Sequence, residues 1–308
     1  MRTQISNRPA WFRRHVSMVV AGVALAACTT LETAPPTLIA SPIADDPFSV
    51  DAEFPPSIEE LNFESHGDRL NGIAYLANGE GPHPTVILLH GYPGNEKNLD
   101  VAQALRRDGF NVLFFHYRGA WGSEGEFSFT HVIEDVASAA DFLRANADTY
   151  RVDTGSIILI GHSMGGFAAL QGAARDSDIR CVAGLAPADF GAIGQAPAEA
   201  LSGFAAYSDS MQMLEAWTGE KAVAELNTNT ESFSLTGIAP DLDGKSVLLV
   251  AGDKDQSVSP AMVDAVAAAY AEMPELDLTH ITLSGDHSFS WSRIEFTETI
   301  LDWIHTCR

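Results

Sequence analysis

One short motif in this chain has the spacing of a reactive serine. Gly161 and Gly165 flank Ser163 in the pattern G-x-S-x-G, which holds a serine hydroxyl on a tight turn between a strand and a helix. So short a pattern also occurs in ordinary Gly/Ser-rich turns, so the flanking elements matter. The branched aliphatic run at 157–160 predicts a buried strand before the turn, and the small apolar residues at 167–174 predict a packed helix after it. The motif therefore predicts that Ser163 is a nucleophile.

A serine nucleophile needs a base within hydrogen-bond distance. Three histidines follow Ser163 in the chain, namely His280, His287 and His305. His287 lies in a polar loop just past the last predicted strand. His280 leads into that strand at its far end and His305 falls in the last predicted helix, so both are interpreted as structural. His287 is the predicted base.

The base in turn needs an acid that orients it. Asp253 and Asp255 both follow the predicted strand 247–251, whose carboxyl end faces the same edge of the sheet as the serine. Asp255 lies further into the loop and is better able to reach His287, so Asp255 is the predicted acid and Asp253 a residue that stabilises the turn. Asp286 is adjacent to His287 and cannot fold back onto that ring, so it is interpreted as a loop residue.

Strands and helices alternate around these residues. The apolar strands imply burial on both faces, and this predicts an α/β fold with a mostly parallel, doubly wound sheet. Strands are predicted at 61–65, 70–76, 85–89, 111–115, 157–160, 181–185, 247–251 and 278–283. Helices are predicted at 98–108 and at 131–147, the second with Thr130 as its cap. Further helices are predicted directly after Ser163, at 260–273 and at 291–306.

The alternation breaks between about residues 187 and 244. Apolar residues there recur at helical spacings, which predicts a small helical cap insertion over the carboxyl edge of the sheet. Two interpretations of this insertion stay open: a lid that contacts the substrate, and a structural excursion on the rim.

The first 57 residues are predicted to lie outside the folded domain. Basic residues precede an apolar run at 16–27 that is short for a membrane span. The run ends in Leu-Ala-Ala-Cys at Cys28, which resembles a bacterial lipobox. Residues 1–27 are therefore predicted to be a lipoprotein signal peptide, with Cys28 as the lipidation site; an ordinary cleavable signal is the alternative. The Pro-rich stretch 28–57 is predicted to be a flexible tether, and 58–308 one domain.

These segments predict a lipid-anchored protein of the bacterial cell envelope, in the periplasm or at the outer membrane. In an oxidising periplasm Cys181 and Cys307 could pair, and a buried Cys181 thiol is the alternative. The sequence does not decide between them, nor does it decide the oligomeric state.

Charge and composition limit the partners. With 18 basic and 41 acidic residues the formal net charge is −23, and no basic patch stands out, so nucleic acid is not a predicted partner. No His/Cys cluster has metal-ligand spacing and there is no Rossmann or P-loop glycine pattern, so no metal and no organic cofactor are predicted. The predicted partners are a small-molecule acyl substrate and a membrane reached only through the N-terminal lipid.

Five motifs together resemble those of the α/β-hydrolase superfamily, and the likeness is greatest to its serine esterases and prolyl-oligopeptidase-like aminopeptidases. They lie at 90–94, 117–119, 161–165, 252–255 and 285–288. The resemblance implies an α/β-hydrolase fold over nearly all of the folded part and a catalytic triad of Ser163, Asp255 and His287. It also implies an oxyanion hole formed by the backbone N–H groups of Tyr92 and Met164. His90 and His162 flank these motifs and are interpreted as structural.

The resemblance implies acyl transfer to water through an acyl-serine intermediate, and hydrolysis of carboxylic esters is the first hypothesis. An aminopeptidase or amidase and a thioesterase of the same fold are alternatives, although no acidic pair is evident for binding a substrate amino group. A non-catalytic binding lipoprotein is a further alternative. The intact set of Ser163, Asp255 and His287 argues against it.

Overall fold

The computed structural model of the chain describes residues 41–47 and 49–307. Its strands are β1 (Ser57–Ser65), β2 (Asp68–Leu76), β3 (His83–Leu89), β4 (Asn111–Phe115), β5 (Val152–His162), β6 (Cys181–Leu185), β7 (Ser246–Gly252) and β8 (Asp277–Leu283). They form one sheet in the order β1-β2-β4-β3-β5-β6-β7-β8. β2 is antiparallel to both of its neighbours, and all other adjacent strands are parallel. The predicted mostly parallel sheet is confirmed.

Helices cover this sheet. They are α1 (Leu99–Arg107), α2 (Phe129–Ala145), α3 (Ala147–Tyr150), α4 (Met164–Arg175), α5 (Phe190–Gly194), α6 (Ala198–Asp209), α7 (Gly219–Thr228), α8 (Pro260–Ala271) and α9 (Arg293–Ile304). α2 packs against α4, and α1 packs against α9. Within the described ranges, none of these helices has the length and apolar character needed to cross a membrane.

Helices α5, α6 and α7 and a 3-10 helix (Ala239–Leu242) lie between β6 and β7, within the predicted insertion at 187–244. Backbone hydrogen bonds fix this insertion to the loop after β4. The N–H of Trp121 donates to the carbonyl of Met213 at 3.1 Å, and the N–H of Glu215 donates to the carbonyl of Gly119 at 2.7 Å. The insertion is therefore joined to the body of the domain at its middle as well as at its ends.

The cap of α2 differs from the prediction. Ser128 precedes the helix, and its hydroxyl accepts a hydrogen bond from the N–H of His131 at 3.0 Å. Thr130 lies inside the first turn instead, where its N–H and hydroxyl donate to Glu225 Oε1 on α7 at 2.8 and 2.7 Å. The prediction that Thr130 caps this helix was wrong, because the helix begins two residues earlier than expected.

Residues before the predicted domain boundary at 58 also lie against the fold. Arg107 Nε donates to the carbonyl of Pro42 at 2.5 Å, and the N–H of Asp51 donates to Asn78 Oδ1 at 2.8 Å. The predicted tether 28–57 therefore differs from the structure at 41–47 and 49–57, because these contacts hold the two stretches on the domain. The predicted signal peptide 1–27, the lipidation site Cys28 and the rest of the tether up to residue 40 lie outside the described residues.

A disulfide joins Cys181, at the start of β6, to Cys307, just after α9. The two Cα atoms are 5.9 Å apart, as is usual for a disulfide. The bond ties the last helix to the amino end of a central strand. It lies at the edge of the sheet opposite Ser163, which follows the carboxyl end of β5.

Reduction of this disulfide is expected to lower the free energy of unfolding by about 2 to 4 kcal/mol, because the bond restricts the unfolded chain over a long loop. The two cysteines are 126 residues apart in sequence. Urea unfolding of the oxidised and the reduced protein measures the difference. The Cys307→Ser variant should unfold at the midpoint of the reduced protein, with and without reductant. Equal midpoints for oxidised and reduced wild-type protein would contradict the prediction.

Candidate active site

Ser163 lies on a strained turn between β5 and α4. Its backbone angles are φ 58° and ψ −118°, an uncommon conformation for a residue with a side chain, and such strain is concentrated at functional positions. A Cβ on Gly161 would collide with the carbonyl of Gly165, and a Cβ on Gly165 would collide with the carbonyl of Leu89. The two motif glycines are therefore required by the close approach of three backbone segments.

The structure brings His287 and Asp255 together. His287 Nδ1 lies 2.7 Å from Asp255 Oδ2, and the Asp255 side chain is fully buried whereas His287 is about one-quarter exposed. Asp255 Oδ1 accepts the N–H groups of Ser257 at 2.8 Å and Val258 at 2.9 Å. Both carboxylate oxygens are thus held in place, one by the backbone of its own loop and the other by the histidine.

These contacts keep the Asp255 carboxyl ionised. Burial alone would raise its pKa, but the hydrogen bond and charge of His287 and the two backbone N–H groups outweigh burial and hold the pKa below its ordinary value. An ionised carboxylate only accepts hydrogen bonds, so the proton between the two side chains is on His287 Nδ1. His287 Nε2 is then left with a lone pair that can accept another proton.

Ser163 and His287 line the same cavity, of about 520 Å³. Among the hydrogen bonds of the described residues, none joins Ser163 Oγ to His287. Hydrogen bonds of this kind are often long in the free enzyme and shorten when substrate binds. The structure therefore places the predicted nucleophile and base at one cavity, with the acid behind the base.

The walls of this cavity are apolar, and we call it the apolar cavity. No Asp, Glu, Lys or Arg occurs among the described residues that line it. Helices α5 and α6 of the insertion form much of the wall; the apolar lining residues include Phe190, Ile193, Leu201, Phe204, Val258 and Met262. This placement favours the interpretation that the insertion contacts the substrate over the interpretation that it is only part of the rim.

The backbone N–H groups of Tyr92 and Met164 are both available near the serine. Neither group donates to another residue in the described part of the chain. Met164 is the first residue of α4, and the N-terminal end of a helix carries a partial positive charge. The loop of Tyr92 approaches Ser163 so closely that a Cβ on Gly91 would lie 3.0 Å from the Ser163 Cβ. Both predicted oxyanion donors therefore belong to segments that meet at Ser163.

The side chain of Tyr92 links this loop to the insertion. Its hydroxyl donates to Ser208 Oγ at 2.8 Å and accepts from Trp217 Nε1 at 2.6 Å. Burial raises the pKa of Tyr92 to about 12, so the hydroxyl stays protonated and keeps both contacts at neutral pH. The insertion and the loop that carries one N–H donor are thus fixed relative to each other.

His162, which precedes the serine and is interpreted as structural from the sequence, makes a hydrogen bond that positions the loop of His287. Its Nε2 donates to the backbone carbonyl of His287 at 2.7 Å, and the two rings lie 4.6 Å apart. Burial lowers the pKa of His162 to about 3, so the ring is neutral. The only signal in the sequence was the position of His162 inside the serine motif.

Two further histidines with lowered pKa values, His90 and His116, lie under the Tyr92 loop. His90 Nδ1 donates to the carbonyl of Gly91 at 2.8 Å, and His116 Nδ1 lies 3.2 Å from His90 Nε2. Burial lowers the pKa of His90 to about 4 and that of His116 to about 3. The hydroxyl of Tyr117 also donates to the carbonyl of His90 at 3.1 Å. These contacts fix the loop, and no sequence motif had indicated a role for His116.

The remaining candidates make structural contacts. Asp253 Oδ1 accepts the N–H of Gly285 at 2.9 Å, which joins the loops after β7 and β8. Asp286 accepts a backbone N–H in its own loop at 2.8 Å. His280 and His305 each face a carboxylate, at 3.5 and 2.7 Å. Across residues 41–47 and 49–307, no group of three His, Cys, Asp or Glu side chains could hold a metal ion.

We expect the protein to lose stability in mild acid because of His90, His116 and His162. Their pKa values fall from 6.5 to about 4, about 3 and about 3 on folding, so the unfolded chain binds these protons first. The contribution is fully present above about pH 6.5 and is lost as the pH falls, by about 1.4 kcal/mol per pH unit for each histidine. Urea unfolding between pH 7 and about pH 5 measures this slope.

The His162→Gln variant serves as the control for this slope. Glutamine can still donate to the carbonyl of His287 but does not titrate, so the variant should lose about one third of the slope that the three histidines produce together. A free energy of unfolding that does not change over this pH range would contradict the prediction.

Comparison with known proteins identifies a family of hydrolases. A model described as the alpha/beta hydrolase family matches residues 86–298, a range that includes Ser163, Asp255 and His287. An uncharacterised protein of Mycobacterium tuberculosis is 29% identical over 151 residues, which are 49% of this chain and 53% of that protein. Esterase EstD of Thermotoga maritima is 29% identical over 128 residues, which are 37% of this chain and 30% of the esterase. The chain spans about half or less of these curated relatives.

A solved structure resembles the whole domain. Est1E from Butyrivibrio proteoclasticus, determined with ferulic acid bound, superposes with a TM-score of 0.60 at 20% identity. The match covers 80% of this chain and 98% of that one. At this level of identity the likeness shows the fold alone, and it confirms the fold that the five motifs predicted.

Proposed function

Since the chain belongs to the alpha/beta hydrolase family, we propose that it is a serine hydrolase that cleaves carboxylic esters through an acyl-Ser163 intermediate. The observation that carries the proposal is the hydrogen bond between His287 and the buried Asp255, beside a cavity that both His287 and Ser163 line. The similarity to an esterase of Thermotoga maritima over part of the chain agrees with it.

In the first half of the proposed reaction Ser163 Oγ attacks the ester carbonyl carbon and gives its proton to His287 Nε2. Asp255 stabilises the imidazolium that results. The carbonyl oxygen becomes an oxyanion that accepts hydrogen bonds from the N–H groups of Tyr92 and Met164, each contributing about 3 to 4 kcal/mol to the transition state. His287 then gives its proton to the oxygen of the leaving alcohol, and the acyl group remains on Ser163.

In the second half a water molecule attacks the acyl carbon while His287 Nε2 removes one of its protons. The same two N–H groups stabilise the second oxyanion. When this intermediate collapses, the proton on His287 returns to Ser163 Oγ and the carboxylic acid leaves. Each half uses His287 once as a base and once as an acid, so the enzyme returns to its starting state.

The apolar cavity suits an acyl chain. Each methylene buried there contributes about 0.8 kcal/mol, so kcat/KM should rise about fourfold per methylene until the cavity is full. Among the described residues, the lining offers no carboxylate that could bind a substrate ammonium group. This argues for an ester over an aminoacyl amide, while a thioester of the same acid would fit the same cavity.

The test is hydrolysis of p-nitrophenyl esters of increasing acyl length, compared with aminoacyl p-nitroanilides and acyl thioesters. Labelling by a fluorophosphonate, mapped by mass spectrometry to Ser163, is measured in parallel. We expect ester turnover and labelling at Ser163. Turnover of the anilides alone would establish an aminopeptidase instead. If neither turnover nor labelling were observed, the proposed activity would be overturned, and the alternative of a non-catalytic binding lipoprotein with this fold would remain.

We also propose that the enzyme is held in the bacterial cell envelope by a lipid on Cys28. The lipobox-like sequence supports this, and so does the Cys181–Cys307 disulfide, because disulfides persist mainly in oxidising compartments. Expression in cells fed radiolabelled palmitate should label the wild-type protein and not the Cys28→Ser variant. Equal labelling of the two, or none in either, would refute the lipid anchor.

A further inference from the structure

A second depression, with a polar lining, lies beside the apolar cavity. Its volume is about 460 Å³, and it is formed by residues just before and within the first turn of α1 and by residues that follow His287. We call it the polar groove; its lining includes Asn95, Glu96, Lys97, Asp100, Ser288 and Arg293.

The polar groove opens toward the serine. A smaller depression of about 190 Å³ is lined both by Ser163 and His287 and by Asn95, Glu96 and Ser288. The last three residues also line the polar groove, so a molecule bound at Ser163 can extend directly into it. The site therefore has two arms, an apolar one under the insertion and a polar one between α1 and α9.

The positive charge of Arg293 is already neutralised. Its Nε donates to Asp100 Oδ2 at 3.0 Å, and its Nη1 donates to the carbonyl of Ser288 at 3.0 Å. These contacts also fix the loop that follows His287. Arg293 therefore forms part of the wall of the groove and is not a free cation for a ligand.

The other two charged side chains of the groove, Glu96 and Lys97, also contact groups of the protein. Glu96 Oε1 accepts the N–H of Asn98 at 2.7 Å, and Lys97 Nζ lies 4.8 Å from the centroid of the Trp121 ring. The two acidic and two basic side chains of the groove cancel in formal charge. The groove therefore selects neither an anion nor a cation.

Asn95 and Ser288, which line both the polar groove and the smaller depression at Ser163, have polar groups that remain available. Neither the Asn95 amide nor the Ser288 hydroxyl makes a hydrogen bond to another residue among those the structure describes. An amide and a hydroxyl each both donate and accept, which suits the hydroxyl groups of a neutral molecule.

We propose that the polar groove binds the alcohol part of the substrate and that this alcohol is a neutral polyol. The inference rests on the proposed function, in which His287 passes its proton to the oxygen of the leaving alcohol. Ser288 follows His287 directly, so the leaving alcohol extends into the polar groove while the acyl chain fills the apolar cavity. The substrate class is then an ester of an apolar carboxylic acid with a polyol such as glycerol.

The test compares kcat/KM of the full-length protein for the octanoyl esters of glycerol, 1-propanol and choline. The three share one acyl chain and differ in the hydroxyl groups and charge of the alcohol. We expect the glycerol ester to exceed the propyl ester by about tenfold or more, since each neutral hydrogen bond accounts for about two- to tenfold. The choline ester should gain nothing over the propyl ester.

Variants of the groove residues test whether the preference for the glycerol ester arises in the polar groove. Asn95→Leu and Ser288→Ala should each reduce the ratio of glycerol ester to propyl ester by about two- to tenfold. Asn227→Leu is the matched control, because Asn227 is exposed on α7 and does not line the polar groove. It should leave the ratio unchanged.

Equal kcat/KM for the glycerol and propyl esters, or a ratio that Asn95→Leu and Ser288→Ala leave unchanged, would overturn this inference and leave the proposed function intact. Preference for the choline ester would also overturn it, in favour of a cationic alcohol. No turnover of any of the three esters, together with no fluorophosphonate labelling of Ser163, would overturn the proposed function and this inference with it.

Discussion

We expect the Ser163→Ala variant to hydrolyse esters about 10⁴ to 10⁶ times more slowly than the wild-type protein. The variant removes the only oxygen that can form the acyl intermediate and leaves the two N–H donors of Tyr92 and Met164 in place. Alanine has the same Cβ as serine, so it meets the same φ of 58° without new strain. Loss of activity should therefore occur with an unchanged melting temperature. Single-turnover assays with a p-nitrophenyl ester, together with fluorophosphonate labelling, measure the effect.

Ser257→Ala is the matched control, because Ser257 also lines the apolar cavity and its hydroxyl makes no hydrogen bond within the described residues. It should retain nearly all of the activity and all of the labelling. If Ser163→Ala kept more than a few per cent of wild-type turnover, the acyl-Ser163 mechanism would be wrong, whatever the geometry of His287 and Asp255.

The central strands β3 to β7 were predictable because each carries a continuous apolar run that only a covered sheet can bury. The ends of the helices were less predictable from the sequence. Ser128 and Thr130 are both reasonable caps, and the choice between them depended on Glu225 of α7, which is 95 residues away from Thr130 in sequence. The contacts of Pro42 with Arg107 and of Asp51 with Asn78, and the pairing of Cys181 with Cys307, are also long-range. Local pattern carries no information about such contacts.

The residues of the candidate active site were likewise predictable only in part. Ser163 and its glycines could be predicted because the turn itself demands those residue types, and Asp255 could be preferred over Asp253 from its place in one loop. The contacts of His162 with the carbonyl of His287 could not, because they depend on how the loops after two strands pack together. The hydrogen bond between Asp255 and His287 turns the predicted order of residues into a geometry, and its consequence can be tested directly.

The Asp255→Asn variant is expected to lower kcat by about 10⁴ while the protein stays folded. Asp255 Oδ1 accepts two backbone N–H groups, from Ser257 and Val258, so the oxygen of an asparagine amide must remain at that position. Its NH₂ group then occupies the place of Oδ2 and faces His287 Nδ1, 2.7 Å away in the wild type. Two donors cannot share one hydrogen bond, so the ring must move its proton to Nε2.

A ring protonated on Nε2 cannot accept the proton of Ser163, which is why this isosteric change should nearly abolish turnover. Kinetics with p-nitrophenyl esters, beside a thermal melt, measure the two effects separately. Asp253→Asn is the matched control, because Asp253 lies two residues earlier and accepts the N–H of Gly285 without contacting His287. It should cost far less activity, since an asparagine oxygen can accept the same N–H. Equal losses in the two variants would show that the loop after β7 acts through its fold, and that Asp255 does not set the tautomer of His287.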